Sequence, residues 1–297
     1  MKRLSGSAFL LAALLAFAGW DVLPASSGSG ASRPPALPRG ERWAMVFASD
    51  KFLSAGPEVP PYVGLVACLD PYRRGIRHVA TGWLVGSSDT VITAAHAFYK
   101  GDDGVTVRTG RLDPARCVFS FSDPAGRTWD IINIRYGVSE WAKGKRDQSS
   151  DVAVVKLERR PLRPVRPPRL AGLHHLESDV RLVAFHMAGR AADRPLVTQG
   201  QIHGFPYRRS CSAGFCVHIR SRMFISCAPS DAGSSGGLYL DDQGAAVGLH
   251  LGFYCGDSDS VFSRNSCFNY GVFLDAKIRT LIAQVNADVI DPDYLIR

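Results

Sequence analysis

Short apolar runs separated by turn residues recur along most of this chain. Each run is rich in Val, Ile, Leu, Phe or Tyr, and Gly, Pro, Asp and Asn stand between the runs. Short runs bounded in this way are typical of β-strands, so the pattern predicts an all-β protein. The Asp-Asp-Gln-Gly stretch at 241–244 separates two runs and predicts a hairpin turn. The runs that carry the strand prediction are 62–68, 105–108, 130–136, 180–185, 237–240 and 245–250.

The last part of the chain has a different period. Ile278, Leu281, Ile282 and Val285 recur at spacings of three and four residues behind Asp275. This spacing places apolar side chains on one face of a helix, and Asp is a favoured N-cap residue. The pattern predicts a C-terminal helix that begins after Asp275.

The N-terminus has the pattern of a secretory signal. Lys2 and Arg3 precede an apolar run over residues 8–18, and a basic start before a short apolar run is typical of signal peptides. The run is shorter than the roughly 20 residues that span a bilayer. Residues 1–25 are therefore predicted to be a cleaved signal peptide of a secreted or periplasmic protein, with no membrane contact afterwards. An uncleaved anchor is the alternative.

The segment that follows differs from the rest of the chain in composition. Residues 26–42 are rich in Ser, Gly, Pro and Arg, a composition that does not support a packed core. We predict an N-terminal extension or propeptide over 26–58. The remaining residues, 59–290, have a length that suits one all-β domain.

Charge is concentrated in one stretch. The formal net charge is +8, and the run 159–169 holds five Arg interleaved with Pro. Nucleic-acid binding is one interpretation of this run. No aromatic residue that could stack on a base lies within it, so a solvated Pro-rich connector is the preferred one, and no nucleic-acid partner is expected.

The seven cysteines predict disulfides in an exported chain. An odd number leaves at least one cysteine unpaired within the chain. Proximity in sequence suggests Cys227 with Cys211 or Cys216, and Cys255 with Cys267, although spacing alone does not determine connectivity. No Cys-x-x-Cys pair is present, which argues against zinc.

Three further segments carry the candidate chemistry. Residues 231–237 read Asp-Ala-Gly-Ser-Ser-Gly-Gly, a tight turn in which missing Cβ atoms leave backbone N–H groups open to an oxyanion. The segment 90–98 is a strand-like run that delivers His96 at its end, and Asp151 opens a second such run at 150–157. The chain order is therefore His96, Asp151, Ser235.

These segments together resemble the trypsin/chymotrypsin-like serine proteases, whose catalytic residues follow the same order. Ser234 stands where digestive members carry an Asp that gates activation, so the resemblance is nearer to bacterial secreted trypsin-like and glutamyl endopeptidase-type members. It covers roughly residues 60–285, and the matching pieces are 80–86, 93–96, 151–157 and 233–237.

The resemblance implies a fold and a mechanism. The fold is two six-stranded Greek-key β-barrels with the active site between them: barrel one over about 59–160, a linker at 159–170, and barrel two over about 171–290, with the C-terminal helix packed on barrel two. Ser235 is the expected nucleophile, His96 the general base and Asp151 its orienting partner, while the N–H groups of Gly233 and Ser235 form the oxyanion hole. The expected substrate is a protein or peptide.

The same resemblance bears on specificity. Pro229 occupies the position of the trypsin aspartate, which disfavours cleavage after Arg or Lys. Ser230 and His250 resemble the pocket of bacterial glutamyl endopeptidases, where a hydroxyl and a histidine receive an acidic P1 side chain. Both groups can donate hydrogen bonds to a carboxylate. The alternative is that Gly-Leu-His is merely a buried strand end.

Three functions remain open at this point. The first is a serine endopeptidase that works through an acyl-enzyme, without a cofactor or a metal. Asp257 and Asp259 are two loop aspartates of the kind that are usually solvated. The second is a catalytically silent protease-fold binding protein, and the third is an esterase or narrow processing enzyme that uses the same site.

Overall fold

The computed structural model describes most of the chain beyond the N-terminal region. The predicted signal peptide, the extension before residue 59, the strand predicted at 105–108, and Asp257 and Asp259 lie outside the described residues. The described residues are 59–69, 76–100, 110–123, 125–144, 147–172, 176–186, 195–204, 209–212, 215–218, 222–230, 233–255 and 267–296.

The first half of the chain forms a closed barrel of antiparallel strands. The strands in this half of the chain are β1 Val63–Leu69, β2 Ile76–Leu84, β3 Thr90–Thr93, β4 Tyr99–Lys100, β5 Gly110–Arg111, β6 Cys117–Ser122, β7 Thr128–Ser139 and β8 Ala153–Leu157. The barrel order is β1-β2-β3-β8-β7-β6, and β4 pairs with β5 outside it. Large apolar side chains such as Phe119, Phe121 and Ile134 are fully buried there, which is why these runs are apolar.

The second half forms a second closed barrel. The strands in this half of the chain are β9 Ser178–Phe185, β10 Pro195–Gly204, β11 Arg209–Ser212, β12 Phe215–His218, β13 Met223–Ser226, β14 Leu238–Leu240, β15 Ala246–Cys255 and β16 Cys267–Phe273. The barrel order is β10-β13-β16-β15-β14-β9, and β11 pairs with β12. The predicted all-β fold of two six-stranded barrels is confirmed.

The two barrels share one apolar core. A single buried cluster joins Trp83 and Ile92 of the first barrel to Val183 and Leu249 of the second. Burying these faces against each other is favourable because it removes apolar surface from water. The loops at the junction between the barrels are therefore supported by the same apolar core.

The turn predicted at 241–244 joins β14 to β15 and is confirmed. Asp241 N–H donates to the Ala245 carbonyl at 3.0 Å, and Gly244 N–H donates to the Asp241 carbonyl at 3.1 Å. The Asp241 carboxylate accepts the N–H of Ala245 at 2.7 Å. Gly244 has φ of +74°, a left-handed conformation that glycine adopts readily.

The predicted C-terminal helix, α1, spans Ala276–Asn286. Asp275 caps it, because its Oδ1 accepts the N–H of Ile278 at 2.9 Å. The four predicted apolar side chains are buried. Within the described ranges, no helix is long and apolar enough to cross a membrane.

The expectation that the helix packs on the second barrel is wrong. Helix α1 contacts β3 and β8, which belong to the first barrel. Ser87 Oγ, in the β2–β3 turn, lies 2.9 Å from the side-chain amide oxygen of Asn286. Beyond the helix, Ile296 N–H donates to the Gly137 carbonyl of β7 at 2.9 Å. The chain returns because the apolar helix face completes the core that both barrels share.

One disulfide joins two strands of the first barrel. Cys68 and Cys117 stand opposite each other in the register of β1 and β6, and they are bonded. Cys255 and Cys267 also stand opposite each other, in the register of β15 and β16. Their pairing stays a prediction.

The predicted pairing of Cys227 with Cys211 or Cys216 is wrong, because Cys227 is a free thiol. Its sulfur lies just beyond β13 and accepts the N–H of Gln201 at 3.2 Å. Cys211 and Cys216 instead stand opposite each other in the β11–β12 register. The hairpin places those two positions together, whereas Cys227 follows the end of β13 in the second barrel.

The basic run that follows β8 is attached to β7. Arg159 donates to both carboxylate oxygens of Asp130, at 2.6 and 3.0 Å. The same carboxylate accepts the N–H of Leu162 at 2.8 Å. Arg163 lies over the Trp129 ring at 5.2 Å from its centroid. Two of the five arginines therefore contact the first barrel directly.

Candidate active site

His96 is carried by a short 3-10 helix, Ala95–Phe98, that starts two residues after β3 ends. Ala94 and Ala95 are fully buried, and their small side chains let the chain bend against the barrel. The His96 side chain is 28% exposed. Its ring is therefore supported on one side and reachable from solvent on the other.

Asp151 lies two residues before β8, the strand that pairs with β3. A 3-10 turn, Gln148–Ser150, precedes it and β8 follows, and Thr93 pairs with Ala153 in the β3–β8 register. Asp151 Oδ2 lies 2.6 Å from His96 Nδ1, and Oδ1 accepts the backbone N–H of His96 at 2.8 Å.

The two oxygens of the Asp151 carboxylate therefore both bind His96. The Asp151 side chain is only 5% exposed, so water competes little for these hydrogen bonds. A carboxylate accepts hydrogen bonds, so the proton of a neutral His96 ring sits on Nδ1. This leaves Nε2 as the basic nitrogen.

The loop that carries Ser235 lies between β13 and β14 of the second barrel. Gly233 and Gly236 flank it with φ of +88° and +81°. Side-chain-bearing residues are strained in this region, so both positions favour glycine. Gly237 N–H donates to the Ser234 carbonyl at 2.8 Å, which closes the turn.

Gly236 also permits a close approach between the loop and the His96 segment. A Cβ at this position would lie 2.0 Å from the Thr81 carbonyl oxygen, 2.6 Å from Thr93 Oγ1 and 3.0 Å from Ala94 N. The loop thus packs on the residues that lead directly to His96. The motif glycine is required by this contact as well as by its φ.

The loop contains two backbone N–H groups that lie close in sequence to the Ser235 hydroxyl. Gly236 N–H is used, since it donates to the His250 carbonyl at 2.7 Å. The N–H groups of Gly233 and Ser235 meet no protein acceptor in the part of the chain that the structure describes. Ser235 Oγ lies 3.5 Å from the Leu251 carbonyl oxygen. Free N–H donors next to a hydroxyl are the arrangement that an oxyanion needs.

The predicted specificity residues are placed deeper than the resemblance implies. Ser230 is 1% exposed, and its hydroxyl donates to Asn269 Oδ1 at 2.6 Å. Asn269 Nδ2 in turn donates to the Ala228 carbonyl. Pro229 is buried, and its carbonyl accepts the Thr198 hydroxyl at 2.7 Å. Ser230 and Pro229 are therefore hydrogen-bonded to other protein groups and do not form an open surface.

His250 is fully buried. Its Nδ1 lies 3.0 Å from the Tyr239 hydroxyl oxygen, whereas Nε2 has no hydrogen-bond partner among the residues that the structure describes. Burial, together with the nearby His186 and His96, lowers the pKa of His250 to about 3. The ring is therefore neutral at pH 7. It can offer a hydrogen bond but adds no positive charge.

Two residues of this region were not predicted from the sequence. Asn269 holds Ser230, and Tyr239 holds His250. Asn269 lies in the middle of β16 and is fully buried, and a polar residue inside an apolar strand is a signal that could have identified it. Tyr239 fits an apolar strand and carries no such signal.

Solved structures with the same fold are numerous but distant in sequence. The scabies mite inactivated protease paralogue S-I1 has a TM-score of 0.57 at 14% identity, covering 76% of this chain and 95% of its own. A Glu endopeptidase has a TM-score of 0.55 at 16% identity, covering 82% and 100%. The serine protease AL20 from an extremophilic microorganism has a TM-score of 0.56 at 17% identity, covering 78% and 98%.

A search of curated protein sequences finds no match. At the identities above, the structural likeness establishes the two-barrel fold alone. The family model for the trypsin-like peptidase domain matches residues 80–249, more than half of the chain, and this span holds His96, Asp151 and Ser235. Family and fold together support a peptidase that acts on peptide substrates, and the chain belongs to the trypsin-like peptidase domain family.

Proposed function

We propose that this protein is a secreted serine endopeptidase that cleaves peptide bonds through an acyl-enzyme. The observation that carries the proposal is the pair of hydrogen bonds between the Asp151 carboxylate and His96. One joins Oδ2 to the ring Nδ1 at 2.6 Å, and the other joins Oδ1 to the backbone N–H at 2.8 Å. The glycine loop that bears Ser235 packs against the same segment. These residues supply a nucleophile, a base and an orienting carboxylate.

Each step follows from the chemistry of these groups. Ser235 Oγ attacks the scissile carbonyl carbon, and its proton passes to His96 Nε2. The carbonyl oxygen becomes an oxyanion that accepts hydrogen bonds from the N–H groups of Gly233 and Ser235. The peptide nitrogen then takes the proton from His96 and leaves. Water, deprotonated by His96, hydrolyses the ester and restores Ser235.

Two features support export. Residues 1–25 have the composition of a signal peptide. The Cys68–Cys117 disulfide lies within the first barrel, and structural disulfides persist mainly in oxidising compartments. A secreted or periplasmic location is therefore part of the proposal.

Labelling with a fluorophosphonate tests the proposed function. The purified mature protein is expected to be labelled on the peptide that contains Ser235, as located by mass spectrometry, and to hydrolyse casein. Turnover of small esters without casein cleavage would favour the esterase or narrow processing enzyme. A folded protein that is neither labelled nor active would be a silent protease-fold binding protein.

We further propose a preference for acidic P1 residues. The observation that favours it is the unpaired, buried Nε2 of His250. If Tyr239 donates its hydroxyl proton to Nδ1, Nε2 carries the ring proton and is an unused donor. His250 also lies near enough to His96 to affect it electrostatically. A carboxylate from the substrate would satisfy this donor, and the Ser230 hydroxyl could exchange Asn269 for it.

Matched peptide substrates that differ only at P1 test this preference. We expect kcat/KM for Glu to exceed that for Leu by at least about tenfold, the usual worth of a satisfied charge-assisted hydrogen bond. The ratio should stay constant between pH 6 and 8, since His250, with a pKa of about 3, does not titrate there. Cleavage after other residues would remove the acidic preference and leave the proposed endopeptidase intact.

A further inference from the structure

Thr81 lies in β2 where the two barrels meet. It is fully buried and stands opposite Leu65 in the β1–β2 register. The pairing of β2 with β3 begins one residue later, at Gly82. On the side of β2 that faces β3, the main chain of Thr81 can therefore bind the loop that carries Ser235 instead of β3.

Thr81 makes three hydrogen bonds to that loop. Its backbone N–H donates to the Ser235 carbonyl at 2.8 Å and to the Gly233 carbonyl at 3.2 Å. Its hydroxyl also donates to the Gly233 carbonyl, at 2.9 Å. One residue thus holds the carbonyl groups of both residues whose N–H groups are proposed for the oxyanion hole.

The direction of the hydroxyl hydrogen bonds is determined by their partners. Phe185 N–H, at the end of β9, can only donate, and it does so to Thr81 Oγ1 at 2.9 Å. The hydroxyl proton therefore goes to the Gly233 carbonyl, which can only accept. Thr93 Oγ1 donates to the Thr81 carbonyl at 2.7 Å. This small network joins β2, β3, β9 and the nucleophile loop.

We propose that the Thr81 hydroxyl is a positioning group for the oxyanion hole, an inference that rests on the proposed function. Gly233 has φ of +88°, and a glycine peptide has many accessible orientations unless its carbonyl is held. That carbonyl belongs to the peptide between Gly233 and Ser234, so holding it from the first barrel restricts rotation about the two Gly233 dihedrals that link this peptide to the Gly233 N–H. Thr81 itself touches neither the substrate nor the reacting atoms.

Thr81→Val tests the inference because valine has nearly the same shape but forms no hydrogen bond. We expect kcat to fall about tenfold to a hundredfold, somewhat less than when an oxyanion donor is removed outright. KM should change little, since ground-state binding is not affected. Thr81→Ser keeps the hydroxyl and should restore most of kcat.

The control is Thr90→Val. Thr90 is also fully buried, in β3, and its Oγ1 is hydrogen-bonded to Ser87 Oγ in the β2–β3 turn at 2.9 Å. It tests the loss of a buried hydroxyl away from the loop. An equal fall of kcat and melting temperature in Thr81→Val and Thr90→Val would overturn the proposal, because it would indicate general destabilisation.

Amide hydrogen exchange of the peptides that cover 233–240 supplies a readout independent of activity. Faster exchange in Thr81→Val, but not in Thr81→Ser or Thr90→Val, is expected. Unchanged exchange together with unchanged kcat would reject a positioning role. If the wild-type protein is neither labelled nor active, the proposed function fails, and the exchange measurement alone decides whether Thr81 holds the loop.

Discussion

Ser235→Ala is expected to lower kcat for peptide hydrolysis by about six orders of magnitude, as removal of a serine nucleophile does in other peptidases. Alanine has no oxygen to attack the carbonyl, while the two backbone donors and the His96–Asp151 pair remain in place. Fluorophosphonate labelling should disappear together with turnover. Substrate binding, measured with an uncleaved peptide, should persist, because the N–H groups of the loop are unchanged.

Ser234→Ala is the matched control for this substitution. Ser234 is the adjacent serine of the same motif and is 2% exposed, and its carbonyl, which accepts Gly237 N–H at 2.8 Å, is retained in the variant. Fluorophosphonate labelling is expected to persist, because the Ser235 hydroxyl is unchanged. Loss of labelling in Ser234→Ala but not in Ser235→Ala would reassign the nucleophile to the neighbouring serine.

Asp151→Asn is expected to lower kcat by about four orders of magnitude near neutral pH. The backbone N–H of His96 requires an acceptor where Asp151 Oδ1 now stands, at 2.8 Å. The asparagine oxygen will take that place, which turns its NH₂ group toward His96 Nδ1. Since NH₂ can only donate, Nδ1 must lose its proton and Nε2 must gain it. His96 is then in the wrong tautomer to accept the Ser235 proton.

Steady-state kinetics on one peptide substrate, with unfolding curves for both proteins, measure this effect. Asp147→Asn is the control, because Asp147 caps the 3-10 turn just before Asp151 by accepting Ser150 N–H at 3.1 Å. Asparagine caps nearly as well as aspartate, so this variant should keep wild-type activity. Equal activity of Asp151→Asn and Asp147→Asn would show that Asp151 does not orient the base.

The architecture was largely predictable from local sequence. Alternating apolar runs and turn residues predicted the strands, and the spacing from Ile278 to Val285 behind Asp275 predicted the capped helix. Both signals are local, because strand and helix periods depend on residues only a few positions apart. The motifs around His96, Asp151 and Ser235 carried the family resemblance for the same reason, since each motif is a contiguous stretch of sequence.

The contacts between residues that are distant in sequence were decided only by the tertiary structure. Helix α1 lies on the first barrel, and Cys227 is free although Cys211 and Cys216 precede it closely in sequence. Asn269 and Tyr239 bury the polar groups of Ser230 and His250.

Thr81 illustrates the physical reason. It is 152 positions from Gly233 in the chain, yet its hydroxyl holds the Gly233 carbonyl. Such a hydrogen bond forms only after two barrels have closed and their shared core has set the distance between them. Sequence periodicity determined which residues are buried in each strand, whereas the closure of each barrel and the packing of one barrel on the other determined which of the buried polar groups meet.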